Sequence, residues 1–473
     1  MKNNKQDWLQ PSNTELGNWQ QQITNISSSP SFCVLPWIHL ATRPNGDMRI
    51  CCVANASGAD TGDYSVGLVK MEDGKPANFA RDLPTAAFNN NYMKSVRTTM
   101  LEGNVPASCT KCFKEEQQGM VSKRVWETGT WVKEGIDIPA LIAQTDTDGT
   151  IPFNLQYIDL RLGNTCNLKC VMCSPHDSSS WVPDHKKIYP ALNSVLIKNQ
   201  MAWDSKEFNN NWYENPKFWE EIYSQIHNIK QIYFAGGEPL LIKEHTIFLE
   251  EIIKRGYADK IVLRYNTNGT LISQKFLDLW KHFCKVKIAV SLDGIGSRGD
   301  YIRYPLDWQV VEQNLKLLDD APDNIQTTVA CAVQILNIKH IPDFIKWKVN
   351  SNFKKINFDT NAAGQVMGGG LIGVHLLWIP TWLSLRVLPV VDKKEVRVLF
   401  DELKEWLLVN YTQHDNFWKI SSYGWKRWEG ILDWMDAEDH TNLLPDFSEY
   451  IKKLDDHRHT NFKTIFPELK HLV

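Results

Sequence analysis

From residue 155 onward, short apolar runs alternate with helical stretches, and this alternation constrains the fold more than any other feature of the chain. We predict strands at residues 155–162, 230–236, 260–266, 285–292, 326–333 and 354–359. The intervening segments carry helical patterns, as in residues 244–256 and 272–283. Such alternation favours a parallel sheet, open or curled into a partial barrel. Reactive residues are then expected at the carboxyl ends of the strands.

The 473 residues are enough for two or three domains. We expect five parts: a polar leader at 1–31, a compact α+β unit at 32–130, a linker at 131–154, the α/β unit at 155–360 with an insertion at about 174–228, and a C-terminal strand-turn and helical extension at 361–473. Residues 32–53 predict a hairpin, because apolar runs flank an Arg-Pro-Asn-Gly turn.

Charge and hydropathy indicate whether the protein binds nucleic acid, is secreted or associates with a membrane. Lys and Arg total 52 against 55 Asp and Glu, so no general attraction to nucleic acid is expected. The first 25 residues lack the apolar stretch of a secretory signal, which predicts a cytoplasmic protein. Residues 371–391 are long enough to span a bilayer, but they contain Arg386 and two prolines. We expect short buried strands or strand-turn units there and no membrane association.

Three cysteines follow the first strand predicted after residue 154. Cys166, Cys170 and Cys173 have C-x3-C-x2-C spacing. Three thiolates on one loop can hold three irons of a cubane and leave the fourth iron open for chemistry. Structural zinc is the alternative, but it prefers paired C-x2-C spacings and four protein ligands. His176 could in principle supply the fourth ligand. The position at a strand end favours the iron-sulfur cluster.

A second group of cysteines lies nearer the N-terminus. In a reducing cytosol, clustered cysteines are metal ligands or redox groups more often than disulfides. Four thiolates complete a cubane, and they equally suit structural zinc. The expected ligands are Cys33, Cys51, Cys109 and Cys112, with Cys52 as a neighbour or an alternative ligand.

The triad after the opening strand resembles the signature of the radical S-adenosylmethionine (SAM) superfamily, and the resemblance covers about residues 155–360. It implies a partial (β/α)6 barrel with a catalytic [4Fe-4S] cluster on Cys166, Cys170 and Cys173. It also implies that SAM chelates the open iron, and that an electron from the cluster cleaves SAM to methionine and a 5′-deoxyadenosyl radical. That radical would abstract hydrogen from a substrate.

Further motifs follow in the order that this family shows. Two glycines allow close backbone approach to a ligand, and a nearby carboxylate suits an ammonium group. Met172 stands where the family often has an aromatic residue, which weakens only the inferred adenine contact. The residues that the resemblance implies for SAM binding are Met172, Gly236, Gly237, Glu238, Pro239, Asn266, Asn268, Ser291, Asp293, Arg303 and Gln334.

The N-terminal cysteines resemble the auxiliary-cluster domain called SPASM or, in its shorter single-cluster form, twitch. That domain usually follows the barrel, whereas these cysteines precede it. The resemblance implies a second [4Fe-4S] cluster and favours a peptide or protein substrate, with a small molecule still open. An electron donor such as a flavodoxin or ferredoxin is expected. The alternative from another class is a non-catalytic iron-sulfur or zinc protein that transfers electrons or recognises a partner.

Overall fold

One sheet organises the computed structural model, which describes residues 13–54, 67–117, 122–203, 211–356, 371–410 and 417–473. Within these residues the strands are β1 (His39–Thr42), β2 (Met48–Arg49), β3 (Tyr157–Arg161), β4 (Gln231–Ala235), β5 (Val262–Thr267), β6 (Lys285–Ser291), β7 (Ile325–Val333) and β8 (Gly373–Leu376). Their order in the sheet is β2-β1-β3-β4-β5-β6-β7-β8. Only the β1–β2 pair is antiparallel. The predicted α/β fold with a mostly parallel sheet is therefore confirmed.

Helices occupy most of the connections. The N-terminal ones are α1 (Asn13–Ser27), α2 (Leu35–Ile38), α3 (Pro84–Phe88), α4 (Asn91–Leu101), α5 (Thr110–Gln117), α6 (Lys123–Lys133) and α7 (Ile138–Ala143). Those between the barrel strands are α8 (Trp181–Ile188), α9 (Val195–Gln200), α10 (Pro216–Ser224), α11 (Lys243–Lys254), α12 (Gln274–Trp280), α13 (Gly296–Ile302), α14 (Trp308–Asp319) and α15 (Ile341–Asn350). The C-terminal region contains α16 (Val390–Asn410), α17 (Phe417–Ala437), α18 (Leu444–Arg458) and α19 (Phe462–Ile465), as predicted for a helical extension.

Side chains alternate between two environments along the strands. In β5 and β6, every second residue is buried and the others are partly exposed. Tyr265 is on the buried side, and its ring packs against His245 and Trp280 of the outer helices. The alternate residues, such as Arg264 and Lys287, therefore project into the concave face of the curled sheet.

The prediction of a sixth strand at residues 354–359 is wrong for residues 354–356. Residues 354–356 form a turn, because their backbone N–H groups donate to the Asp319 carboxylate and are not available for a ladder. Residues 357–359 lie outside the described residues. The strand that pairs with β7 on the side away from β6 is β8, which lies in the segment for which we expected strand-turn units. No helix in the described part of the chain has the length and apolar character to cross a membrane.

The predicted N-terminal hairpin forms and joins the barrel sheet. Gly46 takes φ +85°, which glycine adopts without strain, and the Arg43 N–H donates to the Asp47 carbonyl at 2.8 Å. β1 then pairs in parallel with β3, His39 opposite Tyr157. The segment expected to be a leader contains α1, whose Ile23 is buried, and α7 lies in the expected linker.

Candidate active site

The Cys166–Cys170–Cys173 loop begins directly after β3, at the carboxyl edge of the sheet. Cys170 is buried, whereas Cys166 and Cys173 remain partly accessible. The thiols of Cys170 and Cys173 are in hydrogen-bonding contact, which lowers the pKa of Cys170 and raises that of Cys173. Burial raises the pKa of Cys166 to about 11, so a bound cation must supply the energy to deprotonate it.

Backbone hydrogen bonds hold this cysteine loop against the end of α13. The Lys169 N–H donates to the Tyr304 carbonyl at 2.7 Å. On the other side, the indole N–H of Trp181 donates to the Cys170 carbonyl at 2.8 Å. These hydrogen bonds satisfy backbone groups of the cysteine loop and restrain the directions of its thiols.

The C-terminal helix α18 also contacts the cysteine loop. The buried Tyr450 hydroxyl donates to the Val171 carbonyl at 2.7 Å, and the Arg458 guanidinium donates to the Lys169 carbonyl at 2.8 Å. Sequence analysis missed Tyr450 and Arg458, because residues nearly 300 positions from their partners carry no local pattern. The last hundred residues thus contribute directly to the geometry of the triad.

The Gly-Gly-Glu-Pro run after β4 lies directly on the cysteine loop. A Cβ atom on Gly237 would be 2.2 Å from the Thr165 carbonyl oxygen, so only glycine fits there. The Glu238 N–H donates to the same carbonyl at 2.8 Å. Gly236 and Gly237 are partly exposed and Pro239 is buried. The structure thus brings this predicted motif and the triad together.

The Glu238 carboxylate points toward the β5 loop. It accepts hydrogen bonds from the Asn268 N–H at 2.7 Å, the Thr267 hydroxyl at 2.8 Å and the Leu240 N–H at 3.1 Å. Burial raises the pKa of Glu238 to about 7, against the effect of these donors. The carboxylate expected to meet an ammonium group therefore also anchors the neighbouring loop.

The β5 loop joins the same assembly through amide side chains. The Asn268 amide donates to the Asn167 side-chain oxygen at 2.8 Å. Asn167 lies within the cysteine loop and was not among the predicted residues, although its place between Cys166 and Cys170 was a signal for it. Asn266 and Ser291 project, partly exposed, from β5 and β6 on the concave side.

Asp293, Arg303 and Gln334 complete this edge. The Arg303 guanidinium pairs with the buried Asp293 carboxylate at 2.8 Å and lies within electrostatic range of Cys170 and Cys173. Gln334 is fully buried, and neither its amide oxygen nor its nitrogen has a hydrogen-bond partner among the described residues. Such an orphaned polar pair is costly unless a ligand satisfies it. Met172 is partly exposed in the cysteine loop.

The second predicted set of cysteines lines one cavity. Its walls include Cys33, Cys51, Cys109 and Cys112, together with apolar residues and Arg124. Burial raises the pKa of Cys33 and Cys51 well above the ordinary range, and that of Cys109 to about 12. The buried thiols would therefore be neutral without a cation and become good ligands with one.

Cys52 is directed differently from its neighbour Cys51. It is not among the residues that line the cavity. It lies instead within electrostatic range of Arg161 and Arg264, which project from β3 and β5 into the concave face. The geometry favours Cys51 as the ligand, which the sequence left open.

The two sets of cysteines can be compared with the ligand geometry that a single zinc ion requires. Zinc requires all of its sulfur ligands at about 2.3 Å from one point. In the described part of the chain, no three Cys, His, Asp or Glu side chains converge closely enough to hold one ion. Four thiolates around one cavity suit a cubane and a structural zinc site alike.

Comparison with known proteins identifies part of the chain. Residues 160–347 match the model of the Radical SAM superfamily. An uncharacterized protein of Methanocaldococcus jannaschii is 23% identical over 208 residues, which are 43% of this chain and 62% of that protein. Molybdenum cofactor biosynthesis protein 1 of Dictyostelium discoideum is 28% identical over 196 residues, 40% of this chain and 26% of that protein. The chain thus spans less than two thirds of either relative.

A solved structure, SuiB of Streptococcus suis bound to S-adenosylmethionine, aligns with a TM-score of 0.33 and 14% identity. The alignment covers 66% of this chain and 62% of SuiB. The match to the family model covers residues 160–347, so this part of the chain is similar to a radical SAM domain. That family implies a [4Fe-4S] cluster and SAM as cofactors.

Proposed function

We propose that this protein cleaves SAM at a [4Fe-4S] cluster held by Cys166, Cys170 and Cys173, and that it uses the resulting radical to modify a peptide or protein. One observation carries the proposal: the cysteine loop, the Gly-Gly-Glu-Pro loop and the β5 loop are hydrogen-bonded into one assembly at the carboxyl edge of the sheet. When bound, the cluster supplies the electron that splits SAM into methionine and a 5′-deoxyadenosyl radical.

The surrounding residues have separate tasks in this proposal. Gly236 and Gly237 let the loop after β4 lie directly against the cysteine loop, where the amino-acid part of SAM would approach the open iron. Glu238 contributes negative charge near the ammonium group while it holds the β5 loop. Arg303 is the cation available for the SAM carboxylate, and its contact with Asp293 keeps it oriented before binding. The unsatisfied amide of Gln334 is a further polar contact.

A second [4Fe-4S] cluster is proposed for the cavity lined by Cys33, Cys51, Cys109 and Cys112. The arrangement of these four cysteines around one cavity supports it. Such a cluster next to the barrel is suited to passing electrons to or from the substrate. The resemblance of these cysteines to SPASM and twitch domains supports a peptide or protein substrate.

The catalytic assignment is tested by anaerobic reconstitution with SAM and a strong reductant. Release of 5′-deoxyadenosine is expected from the wild-type protein and is lost in Cys166→Ala, because one ligand to the cluster is removed. Cys284→Ala is the matched control, since that cysteine is exposed and outside both sites. If Cys166→Ala still releases 5′-deoxyadenosine at the wild-type rate, the assignment is wrong and a non-catalytic electron-transfer or partner-recognition role gains support.

The auxiliary assignment is tested by metal analysis. Two cubanes correspond to about eight irons per chain, and a zinc knuckle would give about four irons and one zinc. Cys51→Ser should lower the iron content by about half, whereas Cys52→Ser should retain it, because only Cys51 lines the cavity. Equal iron loss in both variants would contradict the assignment of Cys51.

A further inference from the structure

Two cations lie side by side in the concave face, and neither belongs to the two predicted sets of cysteine ligands. Arg264 on β5 and Lys287 on β6 are register partners, and both are partly exposed. Like charges opposite each other on neighbouring strands repel, so this arrangement costs stability. Neither side chain makes a hydrogen bond or an ion pair with another residue that the structure describes. Neither cation therefore has a direct counter-ion among the described residues.

Of the nearby carboxylates, that of Glu127 is engaged, whereas neither oxygen of the buried Asp159 carboxylate has a hydrogen-bond partner among the described residues. The Glu127 carboxylate pairs with Lys123 at 2.7 Å, and the buried Asp159 carboxylate has Arg161 at 3.7 Å. Burial, together with the charge of Arg264, lowers the pKa of Lys287 to about 8. An anion bound beside Lys287 would reverse this cost, because it stabilises the charged ammonium. An anionic ligand would thus relieve the unfavourable charge of Lys287, whereas the burial of Arg264 is outweighed by Tyr157 and Glu127, which raise its pKa.

The guanidinium of Arg264 contacts two aromatic rings. It lies over the rings of Trp126 and Tyr233, each at 5.5 Å from the ring centroid. Stacking occupies the faces of a guanidinium and leaves its N–H edge for two parallel hydrogen bonds to an oxyanion. Arg264 is therefore oriented to bind a carboxylate or phosphate, with the Lys287 ammonium as a second donor.

Strand geometry gives the distance between this pair and the proposed SAM site. Lys287 precedes Ser291 by four residues on β6, and at about 3.3 Å per residue the two positions are about 13 Å apart. A ligand that reaches from the radical to the cations must span about this length. A free amino acid is too short, whereas an extended peptide or a metabolite with a distal acidic group is long enough.

We infer that the substrate carries a carboxylate or phosphate that binds between Arg264 and Lys287, about 13 Å below the SAM-binding edge. This inference rests on the proposed function, which it extends by giving the substrate an acidic group. The oxyanion would fix the depth of the substrate in the barrel, so that one C–H bond faces the radical. Arg264 and Lys287 are then specificity-determining residues.

Calorimetric titration of the full-length, iron-sulfur-loaded protein tests this inference under anaerobic conditions at low salt. The probes are glutarate for a carboxylate and pyrophosphate for a phosphate. Saturable binding of either is expected, and the tighter probe identifies the source of the oxyanion. The variant Arg264→Gln/Lys287→Gln should bind it at least about tenfold more weakly, because hydrogen bonds to charged groups are lost. Lys254→Gln, which removes one positive charge from an exposed outer side chain, should bind as wild type.

Stability gives a second readout, which separates ligand binding from a structural role. The single variant Lys287→Gln removes a repulsion and a partly buried charge that its surroundings disfavour, so its melting temperature should equal or exceed that of the wild type. A lower melting temperature, unchanged probe affinity in the double variant, or no binding of either probe to the wild type would overturn the inference. SAM titration of the same wild-type sample separates the two proposals. If the sample does not bind SAM, that result counts against the proposed function, whereas binding of SAM without binding of either probe counts against this inference alone.

Discussion

The buried carboxylate of Asp184 connects the C-terminal helix to the cysteine loop, and its replacement tests that connection. Asp184 accepts hydrogen bonds from the Lys169 ammonium at 2.6 Å, the Arg458 guanidinium at 2.8 Å and the His457 ring at 3.2 Å. Asp184→Asn keeps the shape of the side chain but removes its charge. The neighbouring cations then lose their counter-ion in a site where Asp184 and Arg458 are almost inaccessible to water.

The exposure of each partner sets the size of the effect. Breaking a buried pair from one side costs about 3–5 kcal/mol. The side chains of Lys169 and His457 are 22% and 31% exposed, so they can turn toward solvent, whereas Arg458 is 2% exposed and cannot. We therefore expect a loss near the lower limit, about 3 kcal/mol in the free energy of unfolding. The cysteine loop should loosen as well, because Arg458 also holds the Lys169 carbonyl.

Urea unfolding and iron retention measure these two effects. Asp320→Asn is the control: it makes the same chemical change in an exposed ion pair with Lys354 and should alter stability little. Asp184→Asn should also lose cluster iron faster under a chelator. If Asp184→Asn is no less stable than Asp320→Asn, the reasoning about this buried connection is refuted.

The pH dependence of the same variant has a defined sign. Burial raises the pKa of Asp184, but the hydrogen bonds from Lys169 and Arg458 outweigh it, so the pKa lies below its ordinary value. A depressed carboxyl pKa stabilises the folded state above the unfolded value of about 3.9, and this contribution is lost as the pH falls through the folded value. The stability difference between wild type and Asp184→Asn should therefore be constant near neutral pH and shrink below about pH 4.

Two further changes probe the packing around the triad. Gly237→Ala places a Cβ atom 2.2 Å from the Thr165 carbonyl oxygen, so we expect a loss of about 1–3 kcal/mol and weaker SAM binding. Gly430→Ala, with no heavy atom within 4 Å of its Cβ, should instead stabilise its helix. Melting curves and SAM titrations of both variants measure these effects. Tyr450→Phe leaves the buried Val171 carbonyl without its donor at 2.7 Å, which should cost about 1 kcal/mol and shift the electron paramagnetic resonance signal of the reduced cluster. An unchanged signal would show that Tyr450 does not position the loop.

Local sequence was enough to locate the triad and the strand that precedes it. The spacing of Cys166, Cys170 and Cys173 keeps them on one loop whatever the rest of the chain does, and strand alternation indicates which residues share a face. The Gly-Gly-Glu-Pro run was predictable for the same reason, since a strand end in a parallel sheet must lie beside the next. Short-range spacing determines these features.

Only the tertiary structure decided the features that depend on distant partners. The direction of Cys51 into the cavity, and of Cys52 away from it, depends on how the N-terminal hairpin joins β3. The attachment of Tyr450 to the cysteine loop is likewise absent from any local pattern. A single sequence records which side chains are chemically able to meet. Which of them do meet is settled by the packing of the whole chain, because contact energies between remote segments leave no periodic or spacing signal behind.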